Sequence, residues 1–144
     1  MKHKLINEAP ERTYAVVFET GDEALAGLAR FAADERLDAA RFTGIGAFDS
    51  VVLGFFDLQR KDYERIPIDE QVEAVALVGD VALGPDGVPK VHAHVVVAKR
   101  DGSAWGGHLL QARVRPTLEV MLVESPSYLR RRTDPATGLA LIVP

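Results

Sequence analysis

Cysteine is absent from the 144 residues, which excludes disulfides, thiolate metal sites and cysteine nucleophiles together. Positive charge is in deficit, with 17 Lys and Arg against 21 Asp and Glu and a net charge of −4. That balance argues against a domain that grips phosphate backbones across a broad basic surface. No apolar run approaches the roughly 18 residues that a membrane span requires. Met1-Lys2-His3-Lys4 is basic, but no apolar segment of signal-peptide length follows it, so a cytoplasmic chain is expected. Internal repeats, low-complexity tracts and Ser/Gly linkers are missing too, which leaves no domain boundary to place. The remainder, 47% hydrophobic with a mean hydropathy of +0.01, describes one globular domain over residues 1–144 with a sizeable core.

Thr13 to Glu19 is rich in β-branched and aromatic residues and predicts a first strand. Thr20-Gly21-Asp22-Glu23 has the form of a capping box. Leu25, Leu28, Ala29 and Ala32 follow at helical spacing, predicting one amphipathic helix from about residue 22 to 36. Beyond it the pattern is sheet: Ala39–Thr43, Val51–Phe56, a short edge strand at Tyr63–Ile68, Val72–Leu83, Val88–Lys99, Ser103–Arg115 and Thr117–Val123. Gly84-Pro85-Asp86-Gly87 and Asp101-Gly102 are the turn signals. The tail over residues 124–144 carries Pro126, Pro135, Pro144 and three consecutive arginines, and is expected to be irregular. The fold class is therefore α+β, an antiparallel sheet of about seven strands with one main helix. Val51–Phe56 and Val91–Val97 are apolar on both parities, and a single helix covers only part of one face. The surplus apolar surface predicts an obligate oligomer.

Histidine is scarce, four in all, and three cluster. His92 and His94 are one residue apart in a strand and so project from the same face. His108 lies on the partner strand, where register decides whether it joins them. A two-residue turn at Asp101-Gly102 pairs Arg100 with Ser103 and sets His108 opposite Val95, on the wrong face. A three-residue loop, Asp101-Gly102-Ser103, pairs Arg100 with Ala104 and sets His108 opposite Val96, one diagonal step from His94. A bulge at Gly106-Gly107 would have the same effect on the shorter turn. Three converging neutral imidazoles suit zinc with a fourth position open, where a bound water is acidified into a nucleophile. Otherwise these are sheet histidines bonded to neighbours or packed at a subunit interface. His3 is placed in a frayed N-terminus.

Gly44-Ile45-Gly46 lacks the third glycine and the strand-to-helix setting of a phosphate loop, and predicts a tight bend or close backbone approach. Asp49, Asp57, Glu70, Glu73 and Glu119 fall near or within strands and are candidate partners for an imidazole, or general bases. Arg130-Arg131-Arg132 reads either as a phosphate contact or as a solvated tail. Ser50, Ser103 and Ser125 have no nucleophile-elbow context.

Several separated motifs in one order carry a family resemblance: Gly44-Ile45-Gly46-Ala47, Leu53-Gly54-Phe55-Phe56-Asp57, Asp86-Gly87-Val88-Pro89-Lys90-Val91-His92-Ala93-His94, Asp101-Gly102, Gly106-Gly107-His108-Leu109 and Thr117-Leu118-Glu119-Val120. From about residue 13 to 123 the chain resembles the PPC domain of plants and prokaryotes. The resemblance implies an antiparallel sheet with a packed helix, assembled as a homotrimer, and a metal, zinc by its ligands, on His92, His94 and His108. In plants the domain is fused to AT-hooks, Arg-Gly-Arg cores that enter the minor groove. This sequence contains no Arg-Gly-Arg. Single-domain prokaryotic relatives are often labelled DNA-binding, and on that reading Arg113, Arg115 and Arg130–Arg132 are the candidate contacts. A trimeric metal-binding domain with a small-molecule ligand or hydrolytic role, a DNA-associated regulator, and a protein-interaction scaffold are the three functions in contention.

Overall fold

The computed structural model describes residues 1–7, 11–125 and 129–143. Pro126 and Pro144 lie outside the described residues. The elements run β1 (Lys2–Asn7), β2 (Thr13–Glu19), α1 (Ala24–Asp34), β3 (Ala39–Asp57), β4 (Asp62–Ile68), β5 (Val72–Leu83), β6 (Pro89–Ala98), β7 (Ala104–Glu124), β8 (Arg130–Thr133) and β9 (Ala140–Val143). The nine strands among the described residues join one sheet, where the sequence suggested about seven. The difference has two sources. The breaks expected near Gly44–Gly46 and at Pro116 are absorbed inside the long strands β3 and β7, where the register shifts but pairing continues. Both ends of the chain add strands: β1 pairs with β2, so the N-terminus is not frayed, and β8 and β9 form an antiparallel hairpin in place of an irregular tail. Leu83 pairs in parallel with Arg130 and brings that hairpin alongside β5.

Strands β3, β5, β6 and β7 pair in a closed circuit, β3 with β5 and β7, and β6 with both β5 and β7. The sheet therefore curls on itself, and α1 packs against β6 and β7. The helix starts differently from the expected capping box. Glu23 is itself the N-cap, its carboxylate accepting from Ala26 N at 2.6 Å, while Thr20 donates to the Pro116 carbonyl at 3.1 Å. The other oxygen of Glu23 accepts from Ala112 N at 2.8 Å, which ties the helix N-terminus to β7.

Leu28, Phe31 and Ala32 of the helix meet Val16 and Phe18 of β2, Phe48 and Leu53 of β3, Val95 and Val97 of β6 and Leu118 and Leu122 of β7 in one buried cluster. Alternation along β6 buries Ala93, Val95 and Val97 and turns His92, His94 and Val96 to the opposite face. On the second face of β6 Val96 is exposed in the single chain, whereas Val52 and Phe56 on the second face of β3 are half-buried. The glycine pair in β3 is a close backbone approach, as the sequence suggested. A Cβ on Gly46 would come within 2.7 Å of Leu118 Cα and closer still to the Thr117 carbonyl oxygen.

Candidate metal centre

The hairpin between β6 and β7 has a three-residue loop, but it is Arg100-Asp101-Gly102, one residue earlier than the sequence suggested. Lys99 N donates to Ser103 O and Gly102 N to Lys99 O, both at 2.9 Å, and Gly102 takes the left-handed conformation at φ 81°. This loop pairs Ala98 with Ala104 and sets His108 directly opposite His94, a pairing that neither sequence alternative contained. The glycine pair holds no bulge. The irregularity sits later, where Val52 pairs with Gln111 but Leu53 pairs with Leu109, leaving Leu110 as an extra residue on β7. That bulge reverses the alternation, so Leu109 before it and Ala112 after it are both buried while His108 faces the other histidines.

The three imidazoles converge. One ligand atom from each of His92, His94 and His108 lies within 4.8 Å of the others, and the ring centroids are 5.1, 5.2 and 5.3 Å apart. The His92 and His94 Nε2 atoms are 3.3 Å apart. Two donors about 2.0–2.1 Å from one tetrahedral zinc stand roughly that distance from each other. His108 Nδ1 is buried and has no hydrogen-bond partner among the described residues. An orphaned imidazole nitrogen beside two further imidazoles is a donor set that fits a cation. Tyr63 from β4 stacks on the His108 ring at 4.6 Å and fixes its plane.

The protonation states agree with the geometry. Burial, then the neighbouring imidazoles of His92 and His94, push His108 down to about 4. Burial and His92 also lower His94. Neutral rings are the form that binds a metal. His92 Nδ1 lies 3.6 Å from Asp80, its cross-strand partner on β5. Burial drives Asp80 upward, but His92 and Arg131 together outweigh it and hold the carboxyl below its ordinary range. Arg131 donates to Asp80 through Nη2 and to the Ala140 carbonyl through Nη1 at 3.0 Å. A chain of contacts thus runs from the C-terminal hairpin through Asp80 to His92, the pattern that orients a ligating imidazole.

In metal-free protein these shifts predict a stability loss in mild acid. The folded pKa of His108 lies below the unfolded value near 6.5, so the unfolded chain takes up the proton first. The contribution is complete above about pH 6.5 and declines as pH falls toward 4. Denaturant unfolding of chelator-treated protein across that range should show the decline, and His108→Gln should flatten it.

Asp80 was not among the carboxylates singled out from the sequence. Its signal was there: it interrupts an apolar strand at the position that pairs with His92. The carboxylates that were singled out lie elsewhere. Asp49 meets Arg113 at 3.5 Å, Asp57 accepts from the Gln59 and Arg60 amides, and Glu70 pairs with Lys99 at 2.7 Å. Glu73 and Glu119 are exposed. The arginine run divides. Arg130 and Arg132 are exposed, but Arg131 is only 7% exposed, the one charged side chain buried among the described residues. It is not a solvated tail residue, because β8 pairs with β9 and turns it onto Asp80.

No helix among the described residues is long and apolar enough to cross a membrane. The profile of the Plants and Prokaryotes Conserved (PCC) domain matches residues 6–126. A plant- and prokaryote-conserved protein from Pyrococcus horikoshii superposes with a TM-score of 0.86 at 31% identity, covering 99% of this chain and 95% of that one. A candidate DNA-binding protein from Ralstonia eutropha JMP134 gives 0.84 at 31% identity, covering 90% of each chain. A metal-containing protein from Archaeoglobus fulgidus gives 0.84 at 28% identity, covering 99% and 97%. Among curated proteins, the bifunctional protein GlmU of Synechococcus sp. strain JA-3-3Ab is 35% identical over 130 residues, 88% of this chain. The chain spans only 20% of the length of that relative.

Proposed function

The chain belongs to the Plants and Prokaryotes Conserved domain family, and on that premise we propose that it is a homotrimeric metal-binding member, holding one divalent cation per chain on His92, His94 and His108. The observation that carries this reading is the convergence of three imidazoles around a buried nitrogen with no hydrogen-bond partner among the described residues. Three neutral nitrogen donors and no thiolate suit zinc. The metal-containing relative from Archaeoglobus fulgidus supports the same reading. When bound, the ion supplies a Lewis acid beside a small cavity, which suits a small-molecule ligand. Asp80 holds the His92 ring from behind, Arg131 holds Asp80, and Tyr63 keeps His108 in plane. Elemental analysis of protein purified from zinc-supplemented culture should return about one zinc per chain. Metal far below that level would overturn the proposal.

The trimer rests on surface chemistry. Ile45, 62% exposed, lines a groove of about 300 Å³ with Val75, Val78 and Met121, all of them exposed. Apolar surface gathered in this way favours association with further copies of the chain. Light scattering should give a particle of three times the 15.7 kDa chain mass, and Met121→Glu should shift it toward monomer. A DNA-binding role has less support, because Arg131 is committed to Asp80 and the chain carries a net charge of −4.

A further inference from the structure

On the outer face of the sheet the apolar groove and the histidines are neighbours. Across β5 and β6 the outward-facing pairs are Asp80 with His92, Val78 with His94 and Ala76 with Val96. The Cβ atoms of such cross-strand pairs stand about 4.5–5.5 Å apart. Thr43 of β3 pairs with Val78 on one side and with Met121 of β7 on the other, so one row runs Met121, Thr43, Val78, His94, His108. Val96, Ile45 and Val75 are exposed alongside it. His94, the exposed member of the three histidines, therefore stands on the rim of the groove.

A ring of three copies joins two different surfaces of one chain. The first is this face, where Glu73 and Glu119 are exposed beside Ile45. The second is the β3–β4 hairpin, where Phe55 and Leu58 are 63% and 68% exposed, more than any other large hydrophobic side chain among the described residues. Asp57 and Asp62 of the hairpin are turned onto backbone amides and Glu64 pairs with Arg60 at 3.4 Å, so Lys61 and Arg65 set the charge that it presents. An apolar patch beside basic side chains complements an apolar groove beside acidic ones. We propose that the β3–β4 hairpin of one copy docks on the apolar face of the next and covers His94, which places each histidine site at a boundary between two copies. The contact rests on the trimer proposed above, and its effect on zinc rests also on the metal reading. Covering the ligands excludes water from them and couples metal affinity to assembly, each strengthening the other by the same factor.

Leu58→Asp alters the hairpin and Met121→Glu the face, both at exposed positions. Each variant should be a monomer that binds zinc about tenfold more weakly than the trimer. Free of metal, each should react with diethyl pyrocarbonate at His94 about tenfold faster than the trimer does. When the two are mixed, the Leu58→Asp chain supplies an intact face and the Met121→Glu chain an intact hairpin. A two-chain particle should form, with His94 protected on the Leu58→Asp chain alone, as mass spectrometry of the modified chains would read. Recovery of that protection also shows that both variants fold. A trimer whose His94 reacts as fast as that of the monomers, or whose zinc affinity is no higher, would overturn the proposal and leave the metal reading standing. Variants that fail to pair on mixing would overturn the contact of hairpin with face. His94 protection in a trimer that takes up no zinc would support the boundary and overturn the metal reading. An unaltered chain that is monomeric would leave the face to a different partner and overturn the proposal together with the trimer, whatever its zinc content.

Discussion

His94→Ala should purify with less than about a tenth of the zinc carried by the unaltered chain, and chelator competition should show an affinity loss of at least about a hundredfold. Loss of a partner behind the ligands already costs about 10- to 100-fold, so loss of a ligand exceeds that range. His94 is the right member of the three to remove. It is exposed, and its backbone pairs with Val78 and His108 whatever side chain it carries. Truncation opens no core cavity, and stability of the metal-free protein should move by less than about 0.5 kcal/mol. His108→Ala is less clean, since it also removes the ring stacked on Tyr63. Should the His94→Ala protein keep its full zinc, the metal lies elsewhere or the other two rings hold it without help.

Gly79→Ala should be the most damaging small substitution near the site, costing about 3 kcal/mol in urea unfolding. The added Cβ would collide with the Phe42 ring and with the His92 carbonyl oxygen. The carbonyl belongs to β6 backbone and cannot swing aside as a flexible side chain can. Relief requires β5 and β6 to separate at Ala93, the partner of Gly79 and the neighbour of both His92 and His94. The same variant should therefore lose zinc affinity along with stability. Gly106→Ala is the control: its nearest contact is 3.3 Å away, and the cost should stay below about 1 kcal/mol. Equal losses in the two variants would mean that β5 and β6 adapt more freely than their packing implies.

The α+β class, the helix, the close approach at Gly44–Gly46 and the shared face of His92 and His94 could all be read from the residues, because each follows from local pattern. What resisted was register. Asp101-Gly102 announces a turn, but the loop that formed begins at Arg100, and only the pairing of Lys99 with Ser103 reveals it. The bulge at Leu110 leaves no mark in an apolar stretch where neighbouring residues look alike. Asp80 was hidden for a related reason, since its value depends on which residue faces it across β5 and β6. The tail misled through composition. Prolines and arginines argue for irregular chain, yet Leu83 offers a free edge that β8 takes up, and the buried Arg131 finds a carboxylate there.

The extra residue in β7 has a consequence for how this segment can change. Between Gly107 and Ala112 the strand switches from one parity to the other, so one length of chain serves as chemical wall at its start and as core wall at its end. Deleting a single residue there would rotate His108 into the hydrophobic interior, or else expel Ala112 and Val114 from it. Sequences that keep the histidines should accordingly hold the spacing from His108 to Val114 constant even where the letters between them drift.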